Sequence, residues 1–259
     1  MKIPAPLYRM ALVLLLGTTL GLGGCATGVD RDPRDPLEPL NRVTYSFNDF
    51  LDRALIKPLA KGYDFIMPAP ANQGVTNFFN NIADIRSALN NLLQFKIGRA
   101  FSDVGRVAVN TTVGILGLID VASNLDLPRY DEDFGQTLGV WGFGPGPFLV
   151  LPILGPSSGR DSVGLVVDWY TDPLRWILDD DTWRWRLRGL QLIDTRAGLL
   201  NASRVLEQAA LDEYAFVRDA FLQRRQSLVY DGNPPDEFED EFDDRGEGTE
   251  EGLEQGPAQ

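Results

Sequence analysis

The chain has 259 residues, enough for one sizeable domain or two small ones. It contains no histidine and a single cysteine, which excludes Ser-His-Asp and Cys-His catalysis, HExxH zinc sites, histidine-ligated haem, internal disulfides and thiolate metal clusters. The net charge is -13, but residues 231–259 hold 12 acidic residues and one arginine, so the other 230 residues carry only -2 and offer no basic field for nucleic acid.

Residues 1–24 read as an export signal. Lys2 and Arg9 supply the positive start, and Met10 to Leu20 supply an apolar run of 11 residues, too short to span a bilayer stably. The run ends in Leu22-Gly23-Gly24-Cys25, which resembles the bacterial lipobox. That resemblance implies cleavage before Cys25, a diacylglycerol on its thiol and an acyl chain on the new amine. One chain anchors marginally and two or more anchor stably, so three would hold the protein on a membrane without a spanning helix. Ala26, rather than aspartate, after the cysteine implies the outer membrane by likeness to lipoprotein sorting. Residues 25–36 are then a lipidated polar tether.

The body, residues 37–230, reads as mainly α. Leu40, Val43, Phe47, Phe50 and Leu51 recur at spacings of three and four and make one helical apolar face. Ile82, Ile85, Leu89, Leu92 and Leu93 make another, opposed by Asp84, Arg86 and Asn90. Phe101, Val104, Val107 and Ala108 continue a further helix. Leu206, Ala210, Tyr214, Val217 and Phe221 predict one long helix ending near Leu228. The stripes from Ile82 onward are expected to pack into a core.

From Phe134 to Gly159 there are 26 residues without a charge, long enough to cross a bilayer. Seven glycines and four prolines lie among them. Glycine costs a helix interior about 1 kcal/mol and proline about 3, so helix is limited to a couple of turns. Leu149 to Leu154 fit one short strand or hairpin arm. The segment lacks the lysine and Ser/Thr of a phosphate-binding P-loop, and its glycines do not make GxGxxG.

Trp176, Trp183 and Trp185 stand among Arg175, Arg184, Arg186 and Arg188. This fits either a surface at the headgroup level or ordinary packing of arginine on indole. Asp179-Asp180-Asp181 lacks the glycine and final glutamate of a calcium loop and predicts a helix N-cap, with no metal. Residues 231–259 read as a disordered acidic tail.

Several motifs occur in order: Asp35-Pro36-Leu37-Glu38-Pro39-Leu40-Asn41-Arg42, Asn110-Thr111-Thr112-Val113-Gly114-Ile115-Leu116-Gly117, Gly135-Gln136-Thr137-Leu138-Gly139, Gly144 to Pro152, and Gly159-Arg160-Asp161. Together they resemble the MlaA/VacJ family of outer-membrane lipoproteins, from about Asp35 to about Arg225. The resemblance implies a single ring-like helical domain with an irregular Gly/Pro-rich pore-lining segment, lying in the inner, periplasmic leaflet of the outer membrane. It implies removal of misplaced phospholipid from the outer leaflet, in association with a trimeric porin. It also implies hand-over to a periplasmic MlaC-like carrier that feeds an inner-membrane ABC complex. No catalytic residue and no cofactor are expected, only phospholipid as cargo and the covalent lipid on Cys25. On this reading Phe148, Leu149, Leu151, Ile153 and Leu154 form an apolar lipid path. Tyr45, Phe47 and Asn48 belong to a helix that controls its opening. Two other readings are an envelope scaffold that moves no lipid and a lipase using Ser157 or Ser158 with Asp161. The lipase lacks an activating base.

Overall fold

The computed structural model describes residues 32–235. The signal segment, Cys25 and the acidic tail from residue 236 lie outside them. The chain divides into two units, 1–36 and 37–259. In the first, Arg34 folds back onto Asp32, with Nη2 2.7 Å from Oδ2.

The second unit is mainly α. It runs α1 (Glu38–Leu51), a widened π turn (Asp52–Ile56), α2 (Lys57–Ile66), α3 (Ala69–Leu93), α4 (Ile97–Thr112) and a short 3-10 turn (Ala122–Leu125). There follow α5 (Phe134–Val140), β1 (Phe148–Leu151), β2 (Gly155–Ser158), α6 (Gly159–Thr171), α7 (Pro173–Ile177), α8 (Asp181–Gly198), α9 (Leu200–Ala209) and α10 (Glu213–Val229). The strands form an antiparallel hairpin with Phe148 opposite Ser158 and Leu151 opposite Gly155. The uncharged segment thus yields two turns of helix and a hairpin, as its glycines and prolines require.

Aspartate or serine starts helix after helix. The side chains of Asp133, Ser158, Asp172, Asp180 and Asp212 accept from the backbone N–H of Gln136, Asp161, Leu174, Thr182 and Ala215, satisfying donors that a helix start leaves orphaned. Asp180 therefore caps α8, as the aspartate run predicts. Asp212 has a larger consequence. It ends the expected long helix and begins a new one, so Leu206 lies on α9 while Tyr214, Val217 and Phe221 lie on α10.

The burial pattern inverts that of an ordinary globular domain. Among the described residues, buried polar and charged side chains outnumber buried apolar ones by about two to one. The antiparallel pair α3 and α4 buries Asn81, Asp84, Ser87, Asn90 and Asn91 from one helix and Asp103, Arg106 and Asn110 from the other. Ile85, Leu89, Leu92, Phe101 and Val104 point outward instead. This overturns the expectation that these stripes pack into a core. The period of 3.6 was right, but the side it selects is the outside. Leu40, Val43, Phe47 and Phe50 on α1 are likewise exposed, while Asn41 of that helix is buried.

The buried charges find polar partners, although single atoms such as Asp103 Oδ1 and Asn91 Oδ1 have none among the described residues. Arg106, 2% exposed, donates from Nε to Asp84 (3.0 Å), from Nη1 to the Leu127 carbonyl (2.7 Å) and from Nη2 to Asp120 (3.1 Å). Arg129 donates to the other oxygen of Asp84 at 2.8 Å. Asp103 accepts from Ser87 and Asn91, both at 2.8 Å. Taking ions from water costs several kcal/mol each, and several hydrogen bonds per ion offset it.

Among the described residues a small apolar cluster forms from Phe148, Val150 and Tyr214, flanked by Tyr45, Phe221 and Leu222. Beside it α5 and α6 touch backbone to backbone. A Cβ on Gly164 would sit 2.4 Å from the amide nitrogen of Gly135, so only glycine fits there.

Candidate functional site

Two features of the second unit combine unusual chemistry with unusual geometry. The first is the hairpin and the way α1 holds it. Asn41 and Asn48 lie seven residues apart, two turns or about 10.5 Å along one helix face. Each turns its side-chain amide onto the edge of β1 and the residues after it. Asn41 Nδ2 donates to the Phe148 carbonyl (3.0 Å) and its Oδ1 accepts from Val150 N (2.9 Å). Asn48 repeats this further on, donating to the Leu151 carbonyl (2.9 Å) and accepting from Ile153 N (2.8 Å). A strand edge repeats at about 3.3 Å per residue, so three residues of strand match two turns of helix. The two asparagines take the place of a neighbouring strand, and the edge carries no orphaned groups at these positions.

The expected path and helix residues fall into distinct environments along this hairpin. Phe148 is 1% exposed, and its ring packs edge-on against Tyr214 and Phe221 at 6.2 and 6.0 Å. Leu149 and Leu151 are half-buried. Ile153 and Leu154 are exposed at the tip, and Ile153 holds a left-handed backbone with φ 70°. Such a conformation is costly for a β-branched residue. On α1, Tyr45 stacks edge-on against Tyr214 at 5.7 Å. Asn48 bonds the hairpin, and Phe47 faces outward.

Ser157 and Ser158 are buried and engaged. Ser157 Oγ lies 3.0 Å from Ser162 Oγ, and Ser158 Oγ caps α6. Asp161 is held by Arg225 at 2.8 Å. That guanidinium also binds Asp133 at 2.5 Å, tying α10 to the start of α5. Burial pushes the Asp133 carboxyl up, but Arg225 and the Gln136 amide pull harder, leaving it at about 2. The same pairing raises Arg225 against the effect of its burial.

The second feature is a cavity of about 820 Å3 between α2, α3, α8 and α9. None of the hairpin residues lines it. Its walls are polar and charged: Lys57, Lys61 and Asp64 from α2, Thr76 from α3, Asp194 from α8, and Arg204 and Glu207 from α9. Phe65, 90% exposed, and Leu200 give it an apolar margin. Lys57 and Glu207 neutralise each other across it at 2.5 Å. Asp194 accepts from Tyr63 Oη and Thr76 Oγ1 at 3.0 Å. Burial and that bond push the Tyr63 hydroxyl up to about 12. The spacing Lys57-x3-Lys61-x2-Asp64 was legible, but an i, i+4, i+7 set of charges is what any solvated helix face carries.

The tryptophan-rich region keeps both of its readings. Arg175 and Arg188 stack over Trp169, and Arg186 over Trp183, while Trp176 stays 78% exposed. Among the described residues no helix is long and apolar enough to cross a membrane.

Residues 33–228 match the family model described as MlaA lipoprotein. The intermembrane phospholipid transport system lipoprotein MlaA of Escherichia coli (strain K12) is 37% identical over 229 residues, covering 85% of this chain and 88% of its relative. The protein of that name from Haemophilus influenzae is 34% identical, with 91% of its length covered. A solved structure reported as "Structural basis for maintenance of bacterial outer membrane lipid asymmetry" superposes with a TM-score of 0.67 at 33% identity, covering 77% of this chain and 100% of the other.

Proposed function

The chain belongs to the MlaA lipoprotein family, and from that premise we propose that it works in a phospholipid transport system that maintains outer-membrane lipid asymmetry. In this reading it removes phospholipid from the outer leaflet through a polar path and passes it to a soluble periplasmic carrier. It is anchored through Cys25, lies in the inner leaflet and associates with a trimeric porin.

The observation that carries the reading is the inverted burial around a charged cavity. Exposed apolar faces of this extent need a non-aqueous neighbour. Backbone polar groups beside lipid must be satisfied internally, and helices with a stapled hairpin do so. Flipping a phospholipid is slow because the polar headgroup must be dragged through hydrocarbon. A cavity with a charged wall and an apolar margin lowers that cost, letting the headgroup keep polar partners while the tails stay in lipid. No bond forms or breaks, so no nucleophile or base is called for.

The test is phospholipid exposed on the cell surface of a deletion strain, complemented by wild type, Cys25→Ala or Gly198→Trp. Gly198 lines the cavity and a Cβ there meets open space, so a side chain can be added at this position and tryptophan is chosen to obstruct the cavity. Accumulation on deletion, rescued by wild type but by neither variant, is the expected result. Absence of accumulation sinks the transport reading in favour of a scaffold that moves no lipid.

A further inference from the structure

The charged groups of the cavity divide into those that are spent and those that are not. Lys57 and Glu207 form an ion pair. Asp194 is occupied by two hydroxyls. Nearby, Arg196 grips Asp52 with two bonds of 2.7 and 2.8 Å. Lys61, Asp64 and Arg204 remain: all three line the cavity, and none pairs with another described residue. Lys61 and Asp64 are three residues apart on α2, one turn beyond Lys57, and so share its face. Arg204 lies one turn before Glu207 on α9. The unspent set is two cations and one carboxylate, against the wall of a cavity whose volume falls in the range of ligand sites.

That set complements one class of headgroup. A phosphodiester carries one negative charge spread over two oxygens, which a guanidinium meets in a fork and an ammonium meets as a point charge. The carboxylate is out of place in a site for phosphate alone, since it repels it. It fits a ligand that also carries a cation. Phe65 and Leu200 line the same cavity and offer apolar surface to the glycerol and the first acyl carbons.

We propose that Lys61, Arg204 and Asp64 form a headgroup subsite in this cavity. The two cations take the phosphodiester and Asp64 takes a primary ammonium, so that zwitterionic, amine-bearing phospholipids are preferred over anionic ones. The subsite rests on the reading of the cavity as a lipid path. It adds selection by headgroup to that reading.

The test uses the full lipidated chain, purified in a nonionic detergent and titrated calorimetrically with three probes. These are dihexanoyl phosphatidylethanolamine, dihexanoyl phosphatidylglycerol and acyl-free glycerophosphoethanolamine. Wild type is expected to bind the first more tightly than the second, and the third most weakly. Asp64→Asn is expected to weaken the ethanolamine lipid by about tenfold, the loss of one charge-assisted hydrogen bond, and to leave the glycerol lipid unchanged or tighter. Arg204→Gln and Lys61→Gln are each expected to weaken both lipids together. All three side chains are solvent-exposed, so unchanged thermal unfolding is expected of each variant. An Asp64→Asn protein with an unaltered preference overturns the subsite, as do cation variants that bind like wild type. Equal binding of the acyl-free probe also overturns it, in favour of a soluble phosphodiester. If wild type binds none of the three, the lipid path itself fails, a result distinct from wild-type binding that the variants leave untouched.

Discussion

Asn48 holds both a carbonyl and an amide of the hairpin through one side chain, so truncating it strands two backbone groups at once. Asn48→Ala is expected to cost about 1 kcal/mol, because the Ile153 amide is exposed and water can replace that bond, read as a drop in thermal midpoint, with Asn48→Gln giving little rescue because its longer stem misplaces the amide. Ile153 offers the opposite experiment. Its left-handed backbone favours glycine and its side chain is largely exposed, so Ile153→Gly is expected to raise stability by roughly 0.5 kcal/mol. If the apolar tip works in transport, the same variant loses function while gaining stability, a combination that simple packing does not produce. Asp133 gives the pH dependence. Its folded carboxyl sits near 2, below the unfolded value, so its contribution is present above about pH 4 and is lost as pH falls through 2. The stabilisation amounts to about 2 kcal/mol. Acid titration of Asp133→Asn against wild type should show the difference in stability closing over that interval.

At the scale of elements, the pair α3 and α4 sets the character of the fold. Each helix has two well-separated faces, one of leucine, isoleucine, valine and phenylalanine, the other of aspartate, asparagine, serine and arginine. The two helices join through the polar faces. The buried ion pair makes this join brittle. Arg106→Met leaves Asp84 with only Arg129, and Asp120 loses its guanidinium, so a loss of about 3–5 kcal/mol is expected in denaturant unfolding. Leu92→Glu, on the outward face, is expected to leave unfolding within about 0.5 kcal/mol of wild type. Membrane flotation should register what unfolding does not if this face meets lipid as proposed, because a carboxylate there would then face hydrocarbon. Paired changes of this kind separate a helix that packs by its polar side from one that packs by its apolar side. The sequence alone leaves them indistinguishable, because a helix stripe defines an axis of asymmetry without a sign.

For the whole molecule, the exposed apolar surface and the proposed lipid anchor on Cys25 would be two separate reasons to stay with a membrane. A Cys25→Ala protein, exported but not acylated, is expected to remain largely in the detergent-requiring fraction, because apolar side chains on α1, α3, α4 and the hairpin tip still seek a non-aqueous neighbour. Fractionation of periplasm against membranes reads this directly. A fully soluble Cys25→Ala protein would mean that the outward stripes are covered in some other way.

Composition excluded most catalytic chemistries before any fold was considered, because a chain without histidine and with one cysteine cannot assemble those sites. Local sequence also determined where helices begin, since Asp133, Ser158 and Asp180 each cap the helix that follows. It determined that Phe134 to Gly159 breaks into a short helix and a hairpin, because glycine and proline act on the backbone regardless of neighbours. The family was legible in the ordered motifs from Asp35 onward. What local sequence left open was direction. Whether Leu89 or Asn90 lies inside depends on what surrounds the protein, and burying apolar groups is favourable only when the outside is water. The cavity was hidden for a related reason. Lys61, Asp64 and Arg204 come from helices more than a hundred residues apart in the chain, and each on its own helix reads as an ordinary solvated charge. Only the tertiary structure sets them around one cavity, and only there does the missing counter-charge become visible.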